Sequence, residues 1–267
     1  MLQGPDNGRK VLWQEMLRHE LLTAMEAGAV VIVPVGSVEQ HGPHCPQDVD
    51  ISIPYRLAVE AAARAEAPVV VAPPVTFGFT HYNMGEIGTI TLGLETFIAV
   101  LCEVSRSIWA NGFRRIVLLN GHGGNEQPTW AASVKLAEED VWALALTYWR
   151  MADDELAAWS DADAGSIGHG GEWETSLQLF LRPRLVDMER AVKDEWRTTF
   201  SGEVGRFAHF PERRREMAHG VMGDPFAASA EKGGRLFGVL LERLLALCRA
   251  YHAAEPPRYR EFGSHCP

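Results

Sequence analysis

Glu39, His41, His44, Asp48 and Asp50 crowd into one short stretch, GSVEQHGPHCPQDVD. All five side chains can bind a divalent metal or carry a proton. Gly42, Pro43 and Pro46 punctuate the stretch and exclude a regular helix there. Glu39 and His41 are two residues apart, so in extended backbone both project to one side. Two more clusters of the same character follow. One is LLNGHGGNE, with His122 between glycines; the other is GHGGEWETSL, with His169, Glu172 and Glu174. Imidazole and carboxylate donors without thiolate suit Zn²⁺, Mn²⁺ or Fe²⁺. The chemistry that wants this set is metal-assisted hydrolysis. Asp50 has two oxygens with which to bridge two ions, and His122 adds a nitrogen. Two such ions about 3.5 Å apart would hold a hydroxide and polarise a carbonyl.

Each cluster also has an ordinary reading. A glycine-rich turn can be only a tight turn. Glu174, Thr175 and Ser176 can cap the apolar helix that follows them. Glu39 and His41 can be solvated, and Glu172 is expected to face solvent. A phosphate cradle is a poor fit, because NGHGGN does not match GxGxxG and no GxxxxGK[ST] occurs. What these readings leave unexplained is why all three clusters pair His with an acid beside a strand end.

The elements that position the clusters alternate along the chain. AVVIVPVG (29–36), PVVVAPPV (68–75), RRIVLLNG (114–121) and VWALALTYW (141–149) read as buried strands. Residues 53–65, 95–112, 128–140 and 231–254 read as helices, the last long and amphipathic. This alternation implies right-handed βαβ units and a mostly parallel sheet covered on both faces. Residues 150–170 and 195–225 are expected to be irregular, and the chain 1–267 to form one domain. Ligand sites in such folds gather outside the carboxyl ends of the strands, where the clusters stand.

Bulk composition removes several functions. A net charge of −10 and a pI near 5.5 argue against nucleic acid as a partner. The short basic run Arg213, Arg214, Arg215 reads as a solvated loop. Apolar runs are too short to span a bilayer and the N-terminus lacks an apolar signal core, so no membrane partner and a cytoplasmic location are expected. Cys45, Cys102, Cys248 and Cys266 are scattered and read as reduced thiols.

Four motifs together, GSVEQHGPHCPQDVD, NGHGGN, HGGEWETS and GVMGDP…AEKG, resemble the creatininase family of creatinine amidohydrolase-type metal hydrolases. The resemblance runs from about Val31 to Gly233 in the same motif order. It implies a three-layer α/β/α sandwich, a hexameric homo-oligomer, a small-molecule substrate with an amide or lactam bond, and two divalent metal ions. It also implies roles by motif. Glu39 and His122 match ligands of a first metal, His41 a ligand of the second, Asp50 the bridge, and Glu174 a metal-site carboxylate. His169 matches the catalytic histidine and donates a proton to the leaving nitrogen. Trp149 matches a pocket tryptophan. The stretch 77–92 ends in GTITL, which is also similar to the family; its His81, Asn83 and Glu86 are expected either to line the entrance for substrate, of this site or a neighbouring subunit's, or to belong to a solvated loop. His44 is assigned to orient a ligand. Asp48 has no match.

The chain also departs from creatininase proper. Gly124 stands where creatininase has a glutamate on the second metal, and Gly168 and Gly165 replace an acid and a tryptophan. These losses disfavour creatinine as substrate. Small-peptide trimming and hydrolysis of a non-amide ring remain alternatives, as does a metal-binding protein without catalysis.

Overall fold

The computed structural model describes residues 10–161, 168–194 and 218–255. Its strands are β1 (Val30–Val35), β2 (Val69–Val71), β3 (Arg115–Asn120) and β4 (Ala143–Thr147). They form one all-parallel sheet in the order β2-β1-β3-β4. Parallel neighbours need crossovers, and the helices supply them. In chain order these are α1 (Arg18–Glu26), α2 (Val49–Arg64), α3 (Leu94–Ala110), α4 (Glu126–Ala137), α5 (Asp153–Trp159), α6 (Glu172–Leu181) and α7 (Ala230–Ala253).

The central strand β1 is apolar at every position because both of its faces are covered. Val31 and Val33 join Leu118, Phe97 and Leu101 of α3 and Ala132 and Leu136 of α4 in one core. Val30 and Ile32 turn the other way, onto Leu57 of α2, Leu177 of α6 and Leu236, Leu240 and Leu244 of α7. The result is the α/β/α sandwich expected, with the sheet between two helical layers. Among the described residues no helix is long and apolar enough to cross a membrane.

The structure moves three boundaries. Strand β2 stops at Val71, well short of residue 75, since Pro73 and Pro74 offer no N–H to a ladder. Helix α2 starts at Val49, not residue 53, so Asp50 lies in its first turn rather than in the preceding loop. The segment 150–170 is not wholly irregular, because it contains α5. There Asp153, Asp154 and Glu155 fill a helix's first turn, where acids are favoured, and Leu156 buries. Residues 195–217, with Arg213, Arg214 and Arg215, lie outside the described residues, as do Gly165 and Cys266. Cys45, Cys102 and Cys248 are free and buried.

Candidate metal centre

Every chemical cluster sits at the carboxyl edge of the sheet. The loop after β1 delivers Glu39 and His41, and the turn after β3 delivers His122. Asp50 comes from the first turn of α2 and Glu174 from the first turn of α6. His169 lies in the turn just before α6. Close backbone approach brings these ends together. Pro54 removes the N–H that would have bonded the Asp50 carbonyl from within α2. That carbonyl packs instead against Gly121, where a Cβ would lie 2.0 Å from the Asp50 oxygen and 2.6 Å from the Pro54 ring. Only glycine lets β3 end there. Asn125 ties the loops together by donating to the Gly36 carbonyl (2.9 Å) and accepting from the Phe79 N–H (2.8 Å).

The side chains converge on Asp50. Its Oδ1 is 3.0 Å from His41 Nε2, and its Oδ2 is 2.9 Å from His122 Nδ1. His122 Nδ1 is also 3.2 Å from Glu39 Oε1, and His41 Nε2 is 3.5 Å from Glu174 Oε2. His169 Nδ1 approaches Glu39 Oε1 at 3.1 Å, and its ring lies 4.1 Å from that of His41. Three triads have ligand atoms within 4.8 Å of one another: Glu39–Asp50–His122, His41–Asp50–Glu174 and Glu39–His41–His169.

These residues fit a divalent metal. Glu39 Oε1 and Asp50 Oδ2 are buried and accept no hydrogen bond, although imidazole nitrogens stand close to both. Buried carboxylates are stable when paired or when they coordinate a metal. The other Glu39 oxygen is held by Thr80 Oγ1 and by Asn83 Nδ2 (2.9 Å). His41 Nδ1 faces the Glu39 carbonyl at 3.1 Å. A carbonyl only accepts, so Nδ1 carries the proton and Nε2 is the nitrogen free to bind an ion.

Electrostatics shows how tightly the metal-free cluster is balanced. Burial pushes the Glu39 carboxyl up, but His122 and His169 outweigh it and hold it well below the usual carboxylate range. Burial disfavours charge on His41, yet Asp50 and Glu174 raise it to about 10. His122 rises well above the ordinary histidine value as Glu39 overcomes its burial, with Tyr82 and Asp50 adding to the shift. Burial leads the upward shift of Glu174, which Asp50 reinforces against the pull of His41. The imidazoles thus stand in for cations among the carboxylates.

The chain is similar to known proteins over most of its length. The family described as Creatininase, creatinine amidohydrolase, matches residues 14–248. The chain belongs to the creatininase family. It is 34% identical over 224 residues to the mycofactocin precursor peptide peptidase of Mycolicibacterium smegmatis, covering 79% of this chain and 81% of that one. It is 30% identical over 252 residues to the creatinine amidohydrolase of Pseudomonas putida, covering 88% and 94% respectively. A solved creatininase variant of Zn-Zn type superposes with a TM-score of 0.78 at 28% identity, over 92% of this chain and all of that one.

Within this creatininase-family site, Glu39, His41, Asp50, His122, His169 and Glu174 come together, all but His169 and Glu174 fully enclosed. His81 is exposed and stacks on Phe79. Trp149 is half-buried, edge-on to Tyr148 and against the core. His44 bonds Thr175 Oγ1 (2.9 Å), the neighbour of Glu174, and burial holds its pKa down to about 4, so it fastens the loop to α6 as a neutral ring. Asp48 turns away to a two-point ion pair with Arg182 (2.7 and 2.8 Å). The segment 219–233 runs beside the site and into α7, with Met222 N–H on the His169 carbonyl (2.7 Å) and Ser229 accepting from the Lys232 N–H.

Glu172 corrects the expectation of solvent. It is fully buried, 2.5 Å from Lys232 Nζ, and it also accepts from Ser160 Oγ and the Asp161 N–H. Its partner is the lysine of AEKG, which gives that motif a structural purpose. Lys232→Met would strand a buried carboxylate, so a loss of about 3 kcal/mol in unfolding free energy is expected. Denaturant titration checks it, and an unchanged midpoint would show that Ser160 and Asp161 suffice.

Sequence reasoning did not pick out Gln40, Thr80, Tyr82 or Asn125. The Gln40 side-chain oxygen accepts from the Gly42 N–H (2.9 Å), which turns its amide nitrogen toward His169 Nε2 at 3.0 Å. An amide NH₂ only donates, so His169 Nε2 accepts and Nδ1 holds the proton.

Proposed function

We propose that the chain is a binuclear metal-dependent amidohydrolase that cleaves the C–N bond of a small amide. The observation that carries this reading is Asp50, whose two oxygens face two different imidazoles at 3.0 and 2.9 Å. Glu39 and His122 would hold one ion, His41 and Glu174 the other, and Asp50 both. Ions there supply Lewis acidity toward a carbonyl oxygen and acidify a water molecule. The protein's own part is to fix the donors and to move one proton. Glu39 keeps its charge in a buried pocket, and Thr80 and Asn83 hold its carboxylate in place. His169, held in place by Gln40, would take the proton that the attacking water gives up and pass it to the leaving nitrogen, so the ring is neutral before and after the step.

Trimming of a small peptide is a second reading, favoured by the 34% identity to a peptide peptidase. A peptide bond is also a C–N amide, so the same residues serve both. Trp149 and His81 are the proposed substrate contacts. The whole chain acts as one hydrolase domain in a homo-oligomer, a hexamer by family resemblance, in the cytoplasm. The exposed Met84, Ile87 and Ile90 after β2 support the assembly, since adjacent apolar side chains favour a partner surface.

Elemental analysis of wild type and Glu174→Ala tests the metal assignment. About two ions per chain should fall to about one. A single ion in both proteins would remove the second site, leaving Glu39, Asp50 and His122 around one ion. Turnover of cyclic amides against short peptides then separates the two substrate classes.

A further inference from the structure

Two neighbouring features of the pocket have no role in the ligand set above. Tyr82, in the short 3₁₀ turn His81–Asn83, places its hydroxyl 3.1 Å from His122 Nε2. The two rings stack at 25° with centroids 6.1 Å apart. The space that the hydroxyl fills is the space that position 124 leaves open. A Cβ on Gly124 would lie 2.1 Å from the Tyr82 oxygen and 2.6 Å from both His122 Nε2 and the Phe79 carbonyl oxygen. Any side chain at 124 therefore competes with Tyr82 for the same volume.

We propose that Tyr82 is a positioning residue for His122, and that Gly124 is glycine so that the Tyr82 hydroxyl can reach it. The reasoning follows from which nitrogen faces the carboxylates. Nδ1 of His122 looks at Asp50 Oδ2 and Glu39 Oε1 (2.9 and 3.2 Å), so Nδ1 must present a lone pair when an ion is bound. The ring proton then sits on Nε2 and donates to the Tyr82 oxygen. Histidine ligands characteristically give their second N–H to a fixed acceptor, which sets the tautomer and strengthens the ligand. His41 uses the Glu39 backbone carbonyl for this purpose. At His122 Nε2 the hydrogen-bond partner is a side chain from the loop after β2, the Tyr82 hydroxyl. The loss of an acid at 124, which looked like a missing ligand, is thereby a change of partner: the vacated volume holds a group that supports the first ion's histidine.

This inference rests on the metal reading above, and the experiment separates the two. Zn²⁺ is titrated into metal-stripped wild type and Tyr82→Phe, which keeps the ring and loses one oxygen. The expected result is that the first zinc binds about 10- to 100-fold more weakly in Tyr82→Phe. The thermal midpoint of the metal-free protein should be unchanged. In zinc-loaded wild type, the His122 Nε2–H proton should be visible by NMR and slow to exchange, and in Tyr82→Phe it should exchange into solvent. Wild type that binds no zinc overturns the metal reading itself. Wild type that binds zinc, with Tyr82→Phe within twofold of it and the same Nε2–H signal, overturns the role of Tyr82. Gly124→Ala supplies a second variant, read beside Tyr82→Phe: its methyl crowds the Tyr82 oxygen together with His122 Nε2 and the Phe79 carbonyl, so weakened zinc binding is expected, and wild-type affinity there would show that the hydroxyl is not needed at its observed place.

Discussion

Asp50→Asn is expected to lose both ions and at least about 10³-fold in turnover. The side chain keeps its size, so the effect isolates charge and donor pattern. In the wild type one carboxylate oxygen faces His41 Nε2 and the other faces His122 Nδ1. An asparagine can present an oxygen to only one of them. Its NH₂ must face the other, and it would point protons at the place where an ion needs a lone pair. The remaining oxygen carries no formal charge, so attraction for a dication falls at both positions at once. Removing several kcal/mol of electrostatic stabilisation at the reacting carbonyl corresponds to about three powers of ten in rate. Asp50 lies in the first turn of α2 and packs against Gly121 through its backbone carbonyl, so the fold should survive. Elemental analysis with a far-UV spectrum measures both. Two ions retained in a folded Asp50→Asn protein would remove Asp50 from the bridge. Loss of one ion alone would make it an ordinary ligand of that ion.

The sequence showed the architecture because its strands are buried on both sides. Val30 to Val35 is an unbroken apolar run, and such a run between helices has few other homes. It also showed which loops carry chemistry, since His and acid residues beside strand ends are legible by type and address. Contacts between loops were less visible. Tyr82 and His122 are 40 residues apart, Gln40 and His169 are 129 apart, and Glu172 and Lys232 are 60 apart. No local period or spacing encodes such pairs. Glu172 looked like a solvent-facing helix-start acid because its cation arrives from α7. Asp50 looked like a loop residue because a proline marks a break in most helices, whereas α2 continues through Pro54 and the carbonyl it leaves without an N–H, that of Asp50, packs against Gly121. Gly124 did carry a signal, a small residue where creatininase proper has a glutamate, but its meaning depends on the hydroxyl that fills the gap.

His169→Ala decides what the remaining histidine does. The ring is close to the cluster, with Nδ1 at 3.1 Å from Glu39 Oε1, and the triad Glu39–His41–His169 is compact enough to hold an ion. Proximity alone therefore allows a ligand or a proton carrier. The surrounding bonds favour the carrier. Gln40 is locked by Gly42 so that its NH₂ donates to His169 Nε2, which leaves the proton on Nδ1. A nitrogen that bears a proton does not bind an ion, and the other nitrogen is already accepting. The expected outcome is a protein with wild-type metal content whose kcat falls about 10²- to 10⁴-fold, the usual range for a lost general acid. KM should change far less, because the ring contributes to the leaving group's protonation rather than to ground-state binding. An amide whose leaving nitrogen is more acidic needs less help, so the variant should recover part of its rate on anilides. Loss of one ion in His169→Ala would instead make His169 a ligand and move the proton transfer to another group, with Glu174, whose carboxyl burial already pushes upward, as the remaining acid in the cluster. Full metal and full turnover would leave the histidine with neither role.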